Sequence, residues 1–234
     1  MRIQDEQQRV KDHDKPGWWL SASAYATLTE HASILGQVHD RVKVLLLHDQ
    51  RVVKLFQIRA RFSSALVYPY SFRFFRNARK LKSLGVPSVR VEQTFFCPSL
   101  RCHGVIYELL SGEALLNLDL DTDVWRRFAG FIAELHAKGI YFRSLHLGNV
   151  VLMPDAGFGL IDIADMRFKR PPLSDRHRVR NFKHLFRLAA RRRSFAEIGV
   201  ETFLDQYLDA CSYTGEHRAE LKRKLVQLYA ELCR

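Results

Sequence analysis

The stretch YFRSLHLGNVVLMPDAGFGLIDIADMRF, residues 141–168, carries the most informative pattern of the chain. Within it, Asn149–Met153 (NVVLM) and Phe158–Ile163 (FGLIDI) are apolar runs rich in β-branched residues. Residues 154–157 (PDAG) separate the two runs and have the composition of a turn. Two short apolar runs joined in this way predict a β-hairpin.

The predicted hairpin would bring Asn149 and Asp162 together. Asn149 opens the first strand and Asp162 lies near the end of the second, so a tight hairpin places both at the same end. An amide oxygen and a carboxylate suit a hard divalent cation that keeps some water and shares the phosphates of a nucleotide. The alternative from the residues alone is that Asn149 caps a loop and Asp162 caps a turn, without any metal.

Helices are predicted on both sides of the hairpin. Asp123–Lys138 has one apolar face, with Thr122 as its cap and Gly139 as its stop. His136 on this helix is most simply a packed, hydrogen-bonded histidine. Residues 176–193 contain eight Lys or Arg and no acid, and their apolar spacing predicts a helix whose charges lie opposite its core face. Such a run is normally a solvated face, but charges of one sign favour contact with phosphate or anionic lipid.

The first half of the chain reads as strands with one long helix. Alternating apolar runs between Ser33 and Phe56 predict two or three antiparallel strands, and Val89–Phe96 with Gly104–Leu110 predict a further pair. Tyr70–Leu84 predicts the helix. Lys54 interrupts an apolar strand, so it needs either an anion or an outward path to water.

The order LHLGN, strand, turn, strand, IDIAD resembles the catalytic loop and metal-binding segment of the protein kinase-like superfamily, in its bacterial form HGDLHxGN followed by IDF or IDW. The segments YFRSLHLGNVV and LIDIADMR most resemble those of the lipopolysaccharide core kinases, the Kdo and heptose kinase family, and of their short relatives called toluene tolerance proteins. The similarity covers roughly residues 20 to 190. It implies an α+β, two-lobed protein kinase-like fold with a small antiparallel-sheet N-lobe and a short, mainly helical C-lobe.

The resemblance also implies roles for residues. Asn149 and Asp162 would hold Mg²⁺. Lys54 would contact the phosphates of ATP, and the backbone of Glu108 to Leu110 would meet the adenine edge. The domains would be a disordered lead at 1–17, an N-lobe at 18–110 and a C-lobe at 111–234.

One departure from the family pattern falls on the catalytic base. Ser144 stands where the family has the Asp that accepts the substrate hydroxyl proton, and a serine cannot act as a base at neutral pH. General base catalysis contributes about 10²- to 10⁴-fold, so its loss would slow phosphoryl transfer without abolishing it. His146 could stand in as the base, but support of the loop is the expected role. Arg143 or the basic helix within residues 176–193 would contact an anionic acceptor.

Two further family features are weak. Only Gly36 lies where a glycine-rich phosphate loop is expected. The helix at Tyr70–Leu84 has no acidic residue, so it cannot supply the Glu that normally pairs with Lys54, and Asn77 is the nearest polar substitute.

Composition limits the partners. The net charge of +12, from 37 Lys plus Arg against 25 Asp plus Glu, favours an anionic partner: nucleic acid, the negative inner leaflet or an acidic sugar. No apolar run reaches the length of a spanning helix, the N-terminus lacks a signal-peptide core, and the four Cys lack zinc spacing. These features predict a cytoplasmic protein with free thiols.

Three functions from different classes remain open. The first is an ATP-dependent kinase acting on inner-core lipopolysaccharide sugar, heptose or Kdo, at the cytoplasmic face of the inner membrane of a Gram-negative bacterium, with peripheral contact with that membrane. The second is a kinase-shaped pseudoenzyme that binds nucleotide or metal without useful turnover, as Ser144 suggests. The third, a nucleic-acid-binding protein, ranks last, because the sequence contains no recognised nucleic-acid-binding motif.

Overall fold

The computed structural model describes residues 18–38, 41–58 and 68–233 of the chain. The predicted disordered lead at 1–17 lies outside the described residues. The fold is α+β, with a small, mainly antiparallel sheet and several helices. Contacts among the described residues divide into two compact units, of which the second combines Lys82–Ser88 with the chain from Ser111 onward.

The first unit is built on a six-stranded sheet in the order β1-β5-β6-β4-β3-β2. The predicted strands form, and they pair antiparallel with their sequence neighbours or across the sheet. The additional strand β1 is only two residues long, too short for a sequence period, and it joins β5 in parallel. The strand bounds are β1 Trp18–Trp19, β2 Ser33–Val38, β3 Arg41–Leu46, β4 Arg51–Gln57, β5 Arg90–Cys97 and β6 Cys102–Glu108.

The core of this sheet follows strand alternation. One face contributes the buried side chains of Leu45, Val53, Leu55, Phe95 and Ile106, among others. Helix α1, Ala22–Leu28, packs its partly buried residues against this face, and its cap Ser21 accepts a hydrogen bond from Ala24 N. The burial of this apolar surface stabilises the unit.

Gly104 is needed for packing in the middle of β6. It lies opposite Phe95, and a Cβ at Gly104 would come 2.1 Å from the Phe95 ring. Both residues are buried, so no larger side chain fits without displacing the ring.

Helix α2, Tyr70–Ser83, is the second helix of the unit. It buries Phe74, Asn77, Ala78 and Leu81 along one side, so the helix predicted here is amphipathic. The ring of Phe74 stacks on that of Tyr107 of β6, with centroids 5.5 Å apart.

The second unit is mainly helical. The predicted helix forms as α3, Thr122–Ala137, but its cap is Asp121 rather than the expected Thr122. Asp121 Oδ1 accepts a hydrogen bond from Val124 N, which satisfies a backbone donor of the first turn. Trp125 of α3 packs edge-on against Phe195 and Phe203, so the helix forms the centre of an aromatic core.

Four helices follow the hairpin: α4 Asp175–Ala189, α5 Arg193–Ile198, α6 Val200–Ala210 and α7 Gly215–Leu232. The helix predicted within residues 176–193 forms as α4, although it ends before the last arginines of the basic run. The six-residue α5 was not predicted, because it is too short to show a helical repeat.

Short strands complete the second unit. They are β7 Glu113–Ala114, β8 Ile140–Phe142, β9 Val150–Leu152, β10 Phe158–Leu160 and β11 Met166–Phe168. β10, β9 and β7 form one sheet, and β11 pairs with β8. In the part of the chain that the structure describes, no helix combines the length and apolar character needed to cross a bilayer.

Candidate functional site

The predicted hairpin is confirmed and places the two candidate metal ligands at one end. β9 and β10 are antiparallel, with Val150 opposite Leu160. One residue further out, Ile161 N donates to Asn149 O at 3.1 Å. Asp162 comes next in the chain, so Asn149 and Asp162 both lie at the open end, away from the turn.

The Asn149 side chain is held in a defined orientation. It is 7% exposed, and its Nδ2 donates to Ser144 O at 2.9 Å. Because the amide nitrogen faces this carbonyl, the amide oxygen is the atom turned away from it. An oxygen presented in this way is the type of ligand that Mg²⁺ accepts.

Asp162 has an unusual backbone conformation. Its φ of 52° and ψ of 45° are left-handed, a region that costs most non-glycine residues energy and is enriched at functional sites. It precedes the 3₁₀ turn Ile163–Asp165, but its side chain makes no capping hydrogen bond there. The alternative that Asp162 serves as a turn cap is therefore not supported, while Asn149 does tie down its loop in addition to any ligand role.

His146 lies between these residues. Gly148 N donates to His146 Nδ1 at 3.2 Å, and Asn149 Nδ2 lies 3.1 Å from His146 Nε2. Partial burial lowers the pKa of His146 more than the Asp162 carboxylate raises it. Both ring nitrogens thus face N–H groups of the loop, which disfavours the protonated ring. This environment suits support of the loop better than proton transfer.

The other two predicted catalytic residues lie on the same loop. Ser144 is half-buried and its carbonyl receives the Asn149 amide. Arg143 is exposed and lies close enough to His184 of α4 to lower the pKa of that histidine, after the larger effects of burial, Arg187 and Lys183.

A buried chain of hydrogen bonds supports the start of this loop. Asn181 Nδ2 donates to Phe142 O, so Asn181 Oδ1 faces His136 Nε2 at 3.2 Å. His136 must then carry its proton on Nε2 and accept at Nδ1 from the Tyr207 hydroxyl, at 2.8 Å. Arg178 donates in turn to Tyr207 Oη at 2.6 Å. Arg178 can only donate and the Phe142 carbonyl can only accept, so these hydrogen bonds run in a single direction from Arg178 to Phe142 O.

The predicted role of His136 as a packed histidine is confirmed. The ring is fully buried, and burial together with Arg178 lowers its pKa to about 3. The sequence missed Asn181 and misplaced Arg178, which was expected among the outward charges of the basic run. Arg178 is 2% exposed and precedes Phe182 by one helical turn, so the spacing of α4 does assign it to the core face.

Arg178 is a buried cation held by neutral groups. Besides Tyr207, it donates to Leu173 O at 2.9 Å and to Cys211 Sγ at 3.2 Å. Among the described residues no carboxylate forms an ion pair with it. Hydrogen bonds, together with the Tyr213 ring whose centroid lies 5.1 Å from the guanidinium carbon, therefore offset the loss of hydration of this cation.

The predicted nucleotide contacts all belong to the first unit. Lys54 lies on β4, half-buried, with Nζ 5.9 Å from the Phe56 ring centroid. Glu108 ends β6 and pairs with Arg90 at 2.6 Å, and Leu110 lies two residues beyond the strand. Their roles toward a nucleotide remain predictions.

The ligand set is small. Within residues 18–38, 41–58 and 68–233, no group of three or more His, Cys, Asp or Glu side chains is arranged to hold a metal ion. One amide with one carboxylate suits Mg²⁺, which is usually bound through one or two carboxylates together with substrate phosphates and water.

Comparison with known proteins gives no assignment. No protein-family model matches the chain, and no curated protein matches it.

Proposed function

We propose that this protein is an ATP-dependent phosphotransferase with a two-lobed, protein kinase-like fold, acting on an inner-core lipopolysaccharide sugar, heptose or Kdo. The observation that carries the proposal is the pairing of Asn149 and Asp162 at the open end of one hairpin. The orientation of the Asn149 amide and the left-handed backbone of Asp162 support it further.

In this proposal Asn149 and Asp162 hold Mg²⁺, which neutralises the charge of the nucleotide phosphates. The chain's own residues position these ligands: His146 supports the loop, and Asn181 fixes its beginning through the Phe142 carbonyl. Arg143 contacts an anionic acceptor, and the protein acts at the cytoplasmic face of the inner membrane. Nucleic acid is not the proposed partner.

A second candidate is a pseudoenzyme that binds nucleotide without useful turnover. Ser144 favours it, because this position has no carboxylate to accept a proton, and the contacts of His146 do not replace one. The two candidates share the metal site and differ in turnover.

The test begins with binding by the full chain. At a ligand concentration of about 100 Kd, Mg²⁺ with ATP stabilises the folded state by about 2.7 kcal/mol, which raises Tm by roughly 5 to 10 °C. Asp162→Ala removes this shift. The matched control is Asp155→Ala at the turn end of the same hairpin, where the carboxylate only accepts from Gly157 N at 2.9 Å, and this variant keeps the shift.

Transfer of phosphate to dephosphorylated core lipid then separates the candidates. Turnover that Asp162→Ala abolishes and Asp155→Ala retains supports the kinase. Binding without turnover in the wild-type protein supports the pseudoenzyme. Equal Tm shifts in the Asp162 and Asp155 variants would remove the basis of both.

A further inference from the structure

Helix α4 presents one exposed face that is entirely basic. Its core side buries the apolar residues together with Arg178 and Asn181. The opposite side exposes cations at spacings of four, three and four residues, so they form one stripe along the helix. At about 1.5 Å per residue the stripe is roughly 16 Å long. With the neighbouring histidine and the exposed arginine of the loop before Ser144, the basic face consists of Arg143, Arg176, Arg180, Lys183, His184 and Arg187.

The charges of the basic face are not neutralised by the protein. Among the described residues, none of its Lys or Arg side chains forms an ion pair, whereas on α7 Arg218 and Lys222 both pair with Asp205. The nearest acid on α4, Asp175, accepts instead from His217 Nε2 at 2.8 Å.

The members of the face lie close to one another. Arg187, Lys183 and Arg143 all disfavour protonation of His184, in addition to its burial. At the other end of the stripe, Lys169, Arg176 and Arg180 act in the same way on His177, again after burial. A surface of one sign over this length attracts an extended anionic partner.

The basic face is fixed beside the candidate site. α4 packs against α7, against β8 and against the 3₁₀ turn Leu147–Asn149, which carries one of the two candidate metal ligands. Arg143 belongs to the loop that leads into this turn. An anionic surface bound by α4 would therefore lie next to that loop.

A bilayer fits this face better than a single phosphate or a single-stranded nucleic acid. The stripe is longer than one phosphate group, so several negative charges must be present at once. Single-stranded nucleic acid is usually held by basic residues together with exposed aromatic rings. The two aromatic residues of α4, Phe182 and Phe186, are fully buried. A membrane surface requires only clustered Lys and Arg.

We propose that the basic face docks the protein on the anionic surface of a lipid bilayer. Docking brings the loop that carries Arg143 and Asn149 toward the headgroups. That a lipid-borne sugar is the acceptor presented there rests on the proposed function, whereas the docking itself does not.

The test is co-sedimentation of the full chain with vesicles of roughly three parts phosphatidylcholine to one part phosphatidylglycerol, in about 0.1 M salt. The variant Lys183→Gln with Arg187→Gln removes two cations from the basic face. Its partition coefficient falls roughly 30-fold, since each cation near such a surface contributes about fivefold. Because both residues are exposed, the variant keeps its Tm.

The matched control, Lys82→Gln with Arg223→Gln, removes the same charge from two exposed positions outside the basic face and stays within about twofold of wild type. Equal losses in both double variants, or equal binding to pure phosphatidylcholine, would overturn the inference. Tighter binding of an RNA duplex that is lost in the same basic-face variant would overturn it too. Vesicle binding without any Tm shift from Mg²⁺ and ATP would refute the proposed function but would still support membrane docking.

Discussion

Acid should destabilise this protein through one buried histidine. The pKa of His136 is about 3 in the folded protein, chiefly because the ring is buried and also because Arg178 is near, against an ordinary value of 6.5. Between these values the unfolded chain binds a proton that the folded protein excludes, so stability falls as pH decreases from 6.5 toward 3. From pH 7 to pH 5 the loss is about 2 kcal/mol, at about 1.36 kcal/mol for each pH unit below 6.5.

The assay is urea unfolding of the wild-type protein and of His136→Gln, followed by far-UV circular dichroism. At pH 7 the variant is less stable by about 1 to 3 kcal/mol, because the Tyr207 hydroxyl or the Asn181 amide loses its partner. The variant lacks the titrating group at position 136, so at pH 5 its difference in unfolding free energy from wild type shrinks by about 2 kcal/mol. A His136→Gln difference that is the same at both pH values would refute the reasoning.

Two further predictions concern packing and thiol reactivity. Gly104→Ala destabilises the protein by about 1 to 3 kcal/mol in urea unfolding, because its Cβ overlaps the Phe95 ring. In the control Gly130→Ala, in the middle of α3, the new Cβ meets no atom within 4 Å, and the variant is more stable by about 0.5 to 1 kcal/mol. The opposite order of stabilities would contradict the packing described. In mass spectrometry after iodoacetamide treatment at about pH 8, the exposed Cys233 is alkylated first. Cys102, buried and with its pKa raised by burial to about 11, reacts only when the protein unfolds, so early labelling of Cys102 would count against its buried environment.

Local patterns accounted for the parts of the fold that local physics determines. The hairpin was predictable because two apolar runs flank a Pro-Asp-Ala-Gly turn, and its tightness alone places Asn149 and Asp162 at one end. α3 was predictable from its apolar face, and a packed, hydrogen-bonded histidine was the simplest role for His136 on that helix. The strands β7, β8 and β11 have two or three residues each, too few for an alternation to be visible.

Long-range features were not predictable from such patterns. The partners of Asn181 and Arg178 come from α3, β8 and α6, and nothing local indicates which elements will meet. Arg178 was misassigned because arginines are rarely buried, so its charge outweighed its position on the helix. The predictions for Lys54, Glu108 and Leu110 depend on a nucleotide and do not follow from the strand pattern.

At Asp162, the left-handed backbone favours one residue for stability and the candidate metal site requires another. Glycine would adopt this conformation without steric penalty, so Asp162→Gly relieves local strain while deleting the carboxylate. This one substitution would increase the stability of the fold and remove the candidate ligand. At this end of the hairpin, the most stable backbone and the candidate metal ligand therefore require different amino acids at position 162.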